Sequence, residues 1–266
     1  MSYRIDSSFV SENQDARVQI LVLHYTENSF ERALELLTKK AHGVSAHYLI
    51  PEQAAEMSQP FPVYQLVPEH GCAYHAGVSF WQGARLLNAS SVGIEMANLG
   101  FAHEDQGLPL MARRWIPYPE AQFQAVGALA REIAARYQIA PHRVVGHSDI
   151  APQRKIDPGP LFSWERLYRE FGVGAWPDED TVAFYTRHFP YSDDIRALQG
   201  KLAAYGYEAA QDGRFNEAMQ KVVAAFQIHF RPARYDGALD IETAAILDAL
   251  LEKYRNAQRP ELNITS

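Results

Sequence analysis

The chain of 266 residues contains a single cysteine. That excludes an internal disulfide, and Cys72, in the segment HGCAYHAG, is expected to be a small buried hydrophobe. No stretch of about 18 apolar residues is present, so no segment reads as a membrane-crossing helix. Basic runs are absent and the formal net charge is −7, which argues against a nucleic-acid partner, because nothing is gathered to neutralise phosphates. The opening MSYRIDSSFVSEN lacks the basic-then-apolar pattern of a secretory leader. Three expectations fit that: the protein stays inside the cell, it leaves by another route, or its leader has been removed. Internal repeats, low-complexity segments and the His-Glu-x-x-His pattern are also missing.

What is present is ordinary in bulk and unusual in one place. The apolar fraction is 47% and the charged fraction 21%, as in a globular protein, and the length allows one or two domains. The unusual stretch is GHSDIAPQRKIDPG at 146–159. Its proline and glycine density predicts an ordered loop that holds side chains in place. His147 follows the apolar pair Val144-Val145 and is expected where a strand ends.

Taken in order, residues 1–16 read as a polar arm. The segment RVQILVLHY at 17–25 is a near-continuous apolar run, the pattern of a strand buried on both faces. Asn28 is expected to start a helix whose apolar face is Phe30, Ala33, Leu34 and Leu37. Strands are expected at 44–50, 63–67 and 92–97, with a polar loop at 84–91 between the last two and a long surface connection at 98–118. The segment 119–138 predicts the longest helix of this region, followed by a strand at 143–147 and a helix at 164–171. Strands alternating with helices imply an α/β fold, a central sheet flanked by helices. His24 and His147 then both lie at carboxyl ends of strands, the edge where open α/β sheets bind ligands.

The stretch GVGAWPDED after Phe171 reads as a domain boundary. Helical periodicity over 194–205, 216–230 and 240–254 predicts a small all-α three-helix domain. The resulting layout is an arm at 1–16, a catalytic domain at 17–180, a helical domain at 181–258 and a tail at 259–266.

The chemistry-bearing residues point to a metal-assisted hydrolase. Zinc in a hydrolase takes three protein ligands and leaves one position open, and His24, His147 and Asp157 meet that requirement. The pattern alone fits satisfied structural histidines equally well. Glu95 sits in the apolar strand VGIEMA. A buried carboxylate is costly unless paired, so it is either partnered by a cation or a general base raised by burial. Lys155 is either a solvated loop lysine or a group that stabilises an oxyanion.

Four segments carry a resemblance. LVLHYT at 21–26, SAHYLI at 45–50, YHAGVSFWQGARLLNASSVGIEMAN at 74–98 and VVGHSDIAPQRKIDPGP at 144–160 resemble the type-2 N-acetylmuramoyl-L-alanine amidases. These are zinc hydrolases of bacterial peptidoglycan that share a fold with the peptidoglycan recognition proteins. The likeness covers roughly residues 17–180. LAAYGYEA, FQIHFRP and YDGALDIETAAIL are similar to the small helical peptidoglycan-binding domain.

The resemblance implies a mixed sheet, one Zn2+ per chain on His24, His147 and Asp157, Glu95 as catalytic base and Lys155 beside the tetrahedral intermediate. It implies that Arg85 meets a stem-peptide carboxylate, and that Asn88, His75 and Tyr48 lie at the substrate cleft, with His47 structural. Tyr74, where many relatives carry Trp, is expected to pack. The implied substrate is peptidoglycan or a muropeptide, cut between N-acetylmuramic acid and L-alanine, in the periplasm or cell envelope. A non-catalytic peptidoglycan-binding protein of the same fold is the alternative, and the oligomeric state stays open. On this reading, deletion beyond about residue 180 weakens binding to sacculi more than activity on small muropeptides.

Overall fold

The computed structural model describes residues 2–14, 16–54, 60–189 and 194–260. From residue 261 on, the expected tail lies outside them, and the described part of the arm is exposed and without helix or strand.

The apolar run at 17–25 becomes β1 (Ile20–Tyr25), buried along its whole length. It lies between β6 (Ser91–Met96) and β7 (Val144–Gly146), parallel to both. β2 (Tyr48–Ile50) runs parallel to β6, and β3 (Tyr64–Gln65) pairs antiparallel on the outer edge. The sheet is therefore mixed, in the order β3-β2-β6-β1-β7. The expected strands at 44–50 and 63–67 both shorten. Pro60, Pro62 and Pro68 bracket β3, whose two residues are exposed, and proline cannot donate to a ladder.

The expected polar loop at 84–91 holds part of a hairpin, β4 (Phe80–Trp81) and β5 (Ala84–Arg85). Its turn is Gln82-Gly83, with φ of 50° and 86°. Two positive φ values suit a tight hairpin turn, but Gln is not the residue that usually advertises one. The first helix, α1 (Phe30–Thr38), is capped by Ser29, whose side chain accepts from Arg32 N–H. Asn28, the expected cap, is instead bridged to Asn98.

Strand alternation sorts the sheet into two faces. Leu21 and Leu23 of β1, with Val92, Ile94 and Met96 of β6, pack against α2 (Glu120–Tyr137) and α4 (Trp164–Phe171). Ile20, Val22 and Val145 point the other way, and so do His24, Glu95 and Gly93 by the same period. α3 (His147–Ile150) is a single turn that begins directly after β7.

The C-terminal helices are α5 (Glu179–His188), α6 (Ile195–Tyr205), α7 (Glu217–Phe230) and α8 (Ile241–Arg255). The last three match the periodicity, each opened by a side-chain cap: Asp194, Asn216 and Asp240. α5 begins at the end of the expected boundary stretch GVGAWPDED, in a segment for which no helix is expected, and packs Tyr185 against Ala245 and Ala249 of α8. The apolar core on this side is continuous. It runs from Val22 and Val145 of the sheet through Trp81 and Ile150 to Tyr205, Phe226 and Leu247. No helix of the described residues is long and apolar enough to cross a membrane.

Candidate metal centre and active site

Parallel pairing puts His24 of β1 directly beside Glu95 of β6, and register partners in a parallel pair point to the same face. His147 arrives from the neighbouring strand end. The loop from α3 folds back so that the carbonyl of Asp157 accepts from Ser148 N–H at 2.8 Å. Three donor atoms converge: His24 Nδ1 lies 3.0 Å from His147 Nδ1, and Asp157 Oδ2 lies 3.1 Å from each. All three residues are buried.

The hydrogen bonds behind these rings decide which nitrogen carries a proton. Ser91 Oγ donates to the Leu87 carbonyl at 2.7 Å. Its oxygen is then free to accept from His75 Nε2 at 3.1 Å. That leaves His75 Nδ1 as acceptor for His24 Nε2–H at 2.9 Å. The carbonyl at the far end thus forces the sequence of donors, and His24 Nδ1 is left with a lone pair. His147 Nε2 lies 3.3 Å from the Ala76 carbonyl and 3.1 Å from Arg154 Nη2; where it donates to the carbonyl, His147 Nδ1 is also left with a lone pair. Two lone pairs and a carboxylate facing one another at about 3 Å repel unless a cation sits among them. Burial, then proximity to His147, lowers the pKa of His24 to about 4. Burial opposes ionisation of Asp157, but the two imidazoles beside it outweigh that and hold its carboxyl far below the usual range. Neutral imidazoles and an ionised carboxylate are the forms that bind a metal. Asp157 Oδ1 is buried without a hydrogen-bond partner among the described residues, which suits a ligand carboxylate.

Glu95 is half-buried, and its Oε2 is enclosed without a partner among the described residues. Burial, then the Asp157 charge, pushes its pKa well above the ordinary value, with Lys155 opposing. Glu95, Asp157, His147 and Lys155 line one cleft of about 500 Å³. α1 supplies an apolar wall through Ala33, Leu36 and Leu37.

The structure brings some expected substrate residues to this cleft and not others. Asn88 lines it while its Oδ1 accepts from Ala76 N–H at 2.8 Å. His75 also lines it, but both ring nitrogens are engaged by His24 and Ser91. Its ring lies where a Cβ on Gly93 would come within 2.5 Å, so only glycine fits there. Tyr48 is not at the cleft. Strand alternation turns it to the α2 face, where its hydroxyl donates to Glu69 at 2.7 Å. Arg85 is exposed and paired with Glu208 of the C-terminal region at 2.5 Å, and it does not line the cleft. His47 is structural: its Nδ1 accepts from Gly93 N–H at 3.0 Å.

Two further residues depart from the expectations, and a third carried none. Tyr74 is 60% exposed at the cleft mouth rather than packed. Cys72 is exposed, because the buried positions of its loop are taken by Ala73 and His75. Arg154, which the sequence did not single out, ties the loop at 76–78 to the metal loop through the carbonyls of Ala76 and Val78 and lines the cleft.

The mixed sheet and the buried cluster of His24, His147 and Asp157 beside Glu95 fit a metal-assisted hydrolase, and the chain belongs to the N-acetylmuramoyl-L-alanine amidase family, which matches residues 14–160. Residues 191–247 match the peptidoglycan binding domain. Over 256 residues the chain is 44% identical to N-acetylmuramoyl-L-alanine amidase AmiD of Escherichia coli, covering 95% of this chain and 89% of that one. A solved structure of E. coli AmiD with the substrate anhydro-N-acetylmuramic acid-L-Ala-D-γ-Glu-L-Lys superposes with a TM-score of 0.85 at 43% identity, covering 95% of each chain. AmpDh3 of Pseudomonas aeruginosa superposes with a TM-score of 0.83 at 39% identity, covering 96% of this chain and 99% of that one.

Proposed function

We propose that this amidase is zinc-dependent and cuts the amide between N-acetylmuramic or anhydro-N-acetylmuramic acid and L-alanine of the stem peptide, in the cell envelope. The observation that carries the reading is the convergence of His24, His147 and Asp157 beside the unpartnered carboxylate of Glu95. Ligand atoms of a tetrahedral zinc site with bonds of about 2.05 Å stand about 3.3 Å apart. The observed 3.0–3.1 Å edges support that geometry. Bound there, zinc supplies a Lewis acid and brings the pKa of water toward ~7.

The protein's own residues do the rest. Glu95 takes the proton of the attacking water and returns it to the leaving amine of L-alanine. Lys155, on the same cleft wall, faces the charge that develops on the carbonyl oxygen. α1 and Tyr74 cover the apolar parts of the ligand, and Asn88 offers its amide to the peptide. The anhydromuramyl ligands in the solved relatives support a muropeptide as substrate.

Glu95→Gln is the test. The variant should keep one zinc per chain and lose turnover by roughly 10²–10⁴-fold, the usual worth of a positioned base. Mass spectrometry of the parent's digest should find a peptide that begins with L-alanine. Cleavage by the variant at the parent rate would remove Glu95 from the mechanism.

A further inference from the structure

The metal ligand His147 is the first residue of α3, and the amide groups on either side of it are tied down differently. On one side, Ser148 N–H donates to the carbonyl of Asp157, the companion ligand. On the other, Gly146 N–H donates to the Asp149 carboxylate at 2.7 Å. That bond closes the turn, but the turn is the smaller part of what holds Asp149.

Asp149 is 1% exposed. Besides Gly146 it has two donors, and both come from the far end of the chain. Tyr207 O–H donates to Oδ1 at 2.6 Å, and His229 Nδ1 donates to Oδ2 at 2.7 Å. These partners lie 58 and 80 residues away in sequence. Each is itself held in place. The His229 ring is stacked between Trp164 of α4, at 3.8 Å and 16°, and Phe230, at 3.9 Å and 12°. Its other nitrogen is buried with no partner among the described residues, so the bond to Asp149 is the one polar contact the ring makes with them. Tyr207 packs edge-on against Trp81 at 5.0 Å. A buried carboxylate left with one donor out of three is poorly compensated. It would move toward water or a new partner and take Gly146 and His147 with it.

We propose that the C-terminal helical region is a working part of the metal centre: Tyr207 and His229, acting through Asp149, are positioning residues for the ligand His147. The assignment rests on His147 being a ligand. It gives the region matched to the peptidoglycan binding domain a second task, inside the molecule. Residues around metal ligands commonly govern affinity by 10–100-fold.

The test uses the full chain and two opposed substitutions. His229→Phe keeps a flat ring between Trp164 and Phe230 and loses the donor. His229→Asn keeps an N–H close to where Nδ1–H stood and loses the ring. Zinc affinity is read by competition with a chelator, and ligand geometry by the visible bands of the cobalt-substituted protein. His229→Phe, and more so His229→Phe with Tyr207→Phe, should weaken zinc by about tenfold or more and shift the cobalt bands. His229→Asn should stay within about threefold of the parent. The reverse order, with Phe parent-like and Asn impaired, would mean that the ring only packs, and would overturn the proposal. A parent that binds no zinc would overturn the ligand reading and the brace with it. A parent that binds zinc, with both Phe variants unchanged, would overturn the brace alone.

Discussion

The two histidines of the proposed metal centre are supported by different parts of the chain. His24 is backed by a relay that never leaves the catalytic region, through His75 and Ser91 to the Leu87 carbonyl. Every bond in it runs between residues 24 and 91. His147 Nε2 sits between groups of the catalytic region, the Ala76 carbonyl and Arg154 Nη2, but its backbone is anchored through Asp149 to Tyr207 and His229. The first support fixes a tautomer and the second fixes a position. The difference teaches that a local support can be lost piecemeal, whereas the second depends on the whole C-terminal region being docked. That docking is extensive, since the apolar core passes from β1 and β7 into α6, α7 and α8.

The harshest way to break the comparison is to end the chain after His188. The His24 relay would keep all its members, while Asp149 would lose two of its three donors. Tyr205, Tyr207, Phe226 and Phe230 would be stripped from the core. Each large apolar side chain contributes about 1.5–3 kcal/mol, against a total stability of about 5–15 kcal/mol. The truncated chain should therefore lose zinc and lose activity on soluble muropeptides as fully as on sacculi. A separable binding domain predicts the opposite, a loss confined to sacculi. Zinc content, circular dichroism and digestion of both substrates decide between them.

A gentler break acts on the local support. Ser91→Ala removes the acceptor for His75 Nε2–H and frees His75 to adopt the other tautomer, which would turn a donor toward His24. Zinc affinity should fall by roughly 10-fold with the fold intact, because Ser91 lies at a fully buried strand position where alanine fits. Nitrogen NMR of the metal-free protein should find His24 protonated at Nε2 in the parent and a mixture in the variant. A parent protonated at Nδ1 would mean that the relay runs the other way.

Much of this architecture is legible in the sequence, and the reason is periodicity. β1 shows as an apolar run, α4 as residues 164–171, and α6 to α8 as apolar stripes opened by Asp194, Asn216 and Asp240. The cluster of His24, His147 and Asp157 reads from two strand ends and one constrained loop, sharpened by the family motifs. What stays hidden depends on contacts across space. Nothing in the sequence near Asp149 points to residues 207 and 229. Ser91 is an unremarkable serine until the loop carrying His75 closes over it. Tyr48 sits in a matching motif, and the motif does not say which face of a three-residue strand it takes. Cys72 and Tyr74 alternate with the buried Ala73 and His75, and an irregular loop gives no rule for which set faces inward.

Both supports should be invisible in one measurement, the acid limb of the pH–rate profile. Glu95 must be ionised to act as a base, and burial followed by the Asp157 charge raises its pKa. A raised carboxyl holds its proton to higher pH, so kcat/KM should fall as pH drops through a midpoint above the ordinary value of 4.5. Ser91→Ala and His229→Phe, measured at saturating zinc, should scale the profile down without moving that midpoint by more than about half a unit. A variant that moves it further would show that its support reaches Glu95 as well as its own histidine.

The smallest effect is expected where the two regions meet at the surface. Arg85 and Glu208 join the catalytic and C-terminal regions through an exposed pair, with side chains 64% and 51% accessible. Such pairs contribute about 0–1 kcal/mol, because solvent screens them and two long side chains lose freedom. Glu208→Gln should therefore lower the melting temperature by no more than about 3 °C in a chain of this size. Zinc affinity should stay within about twofold of the parent, since the contacts of Asp149 are untouched. A larger loss of zinc would place the coupling between the regions at this surface pair rather than at the buried carboxylate.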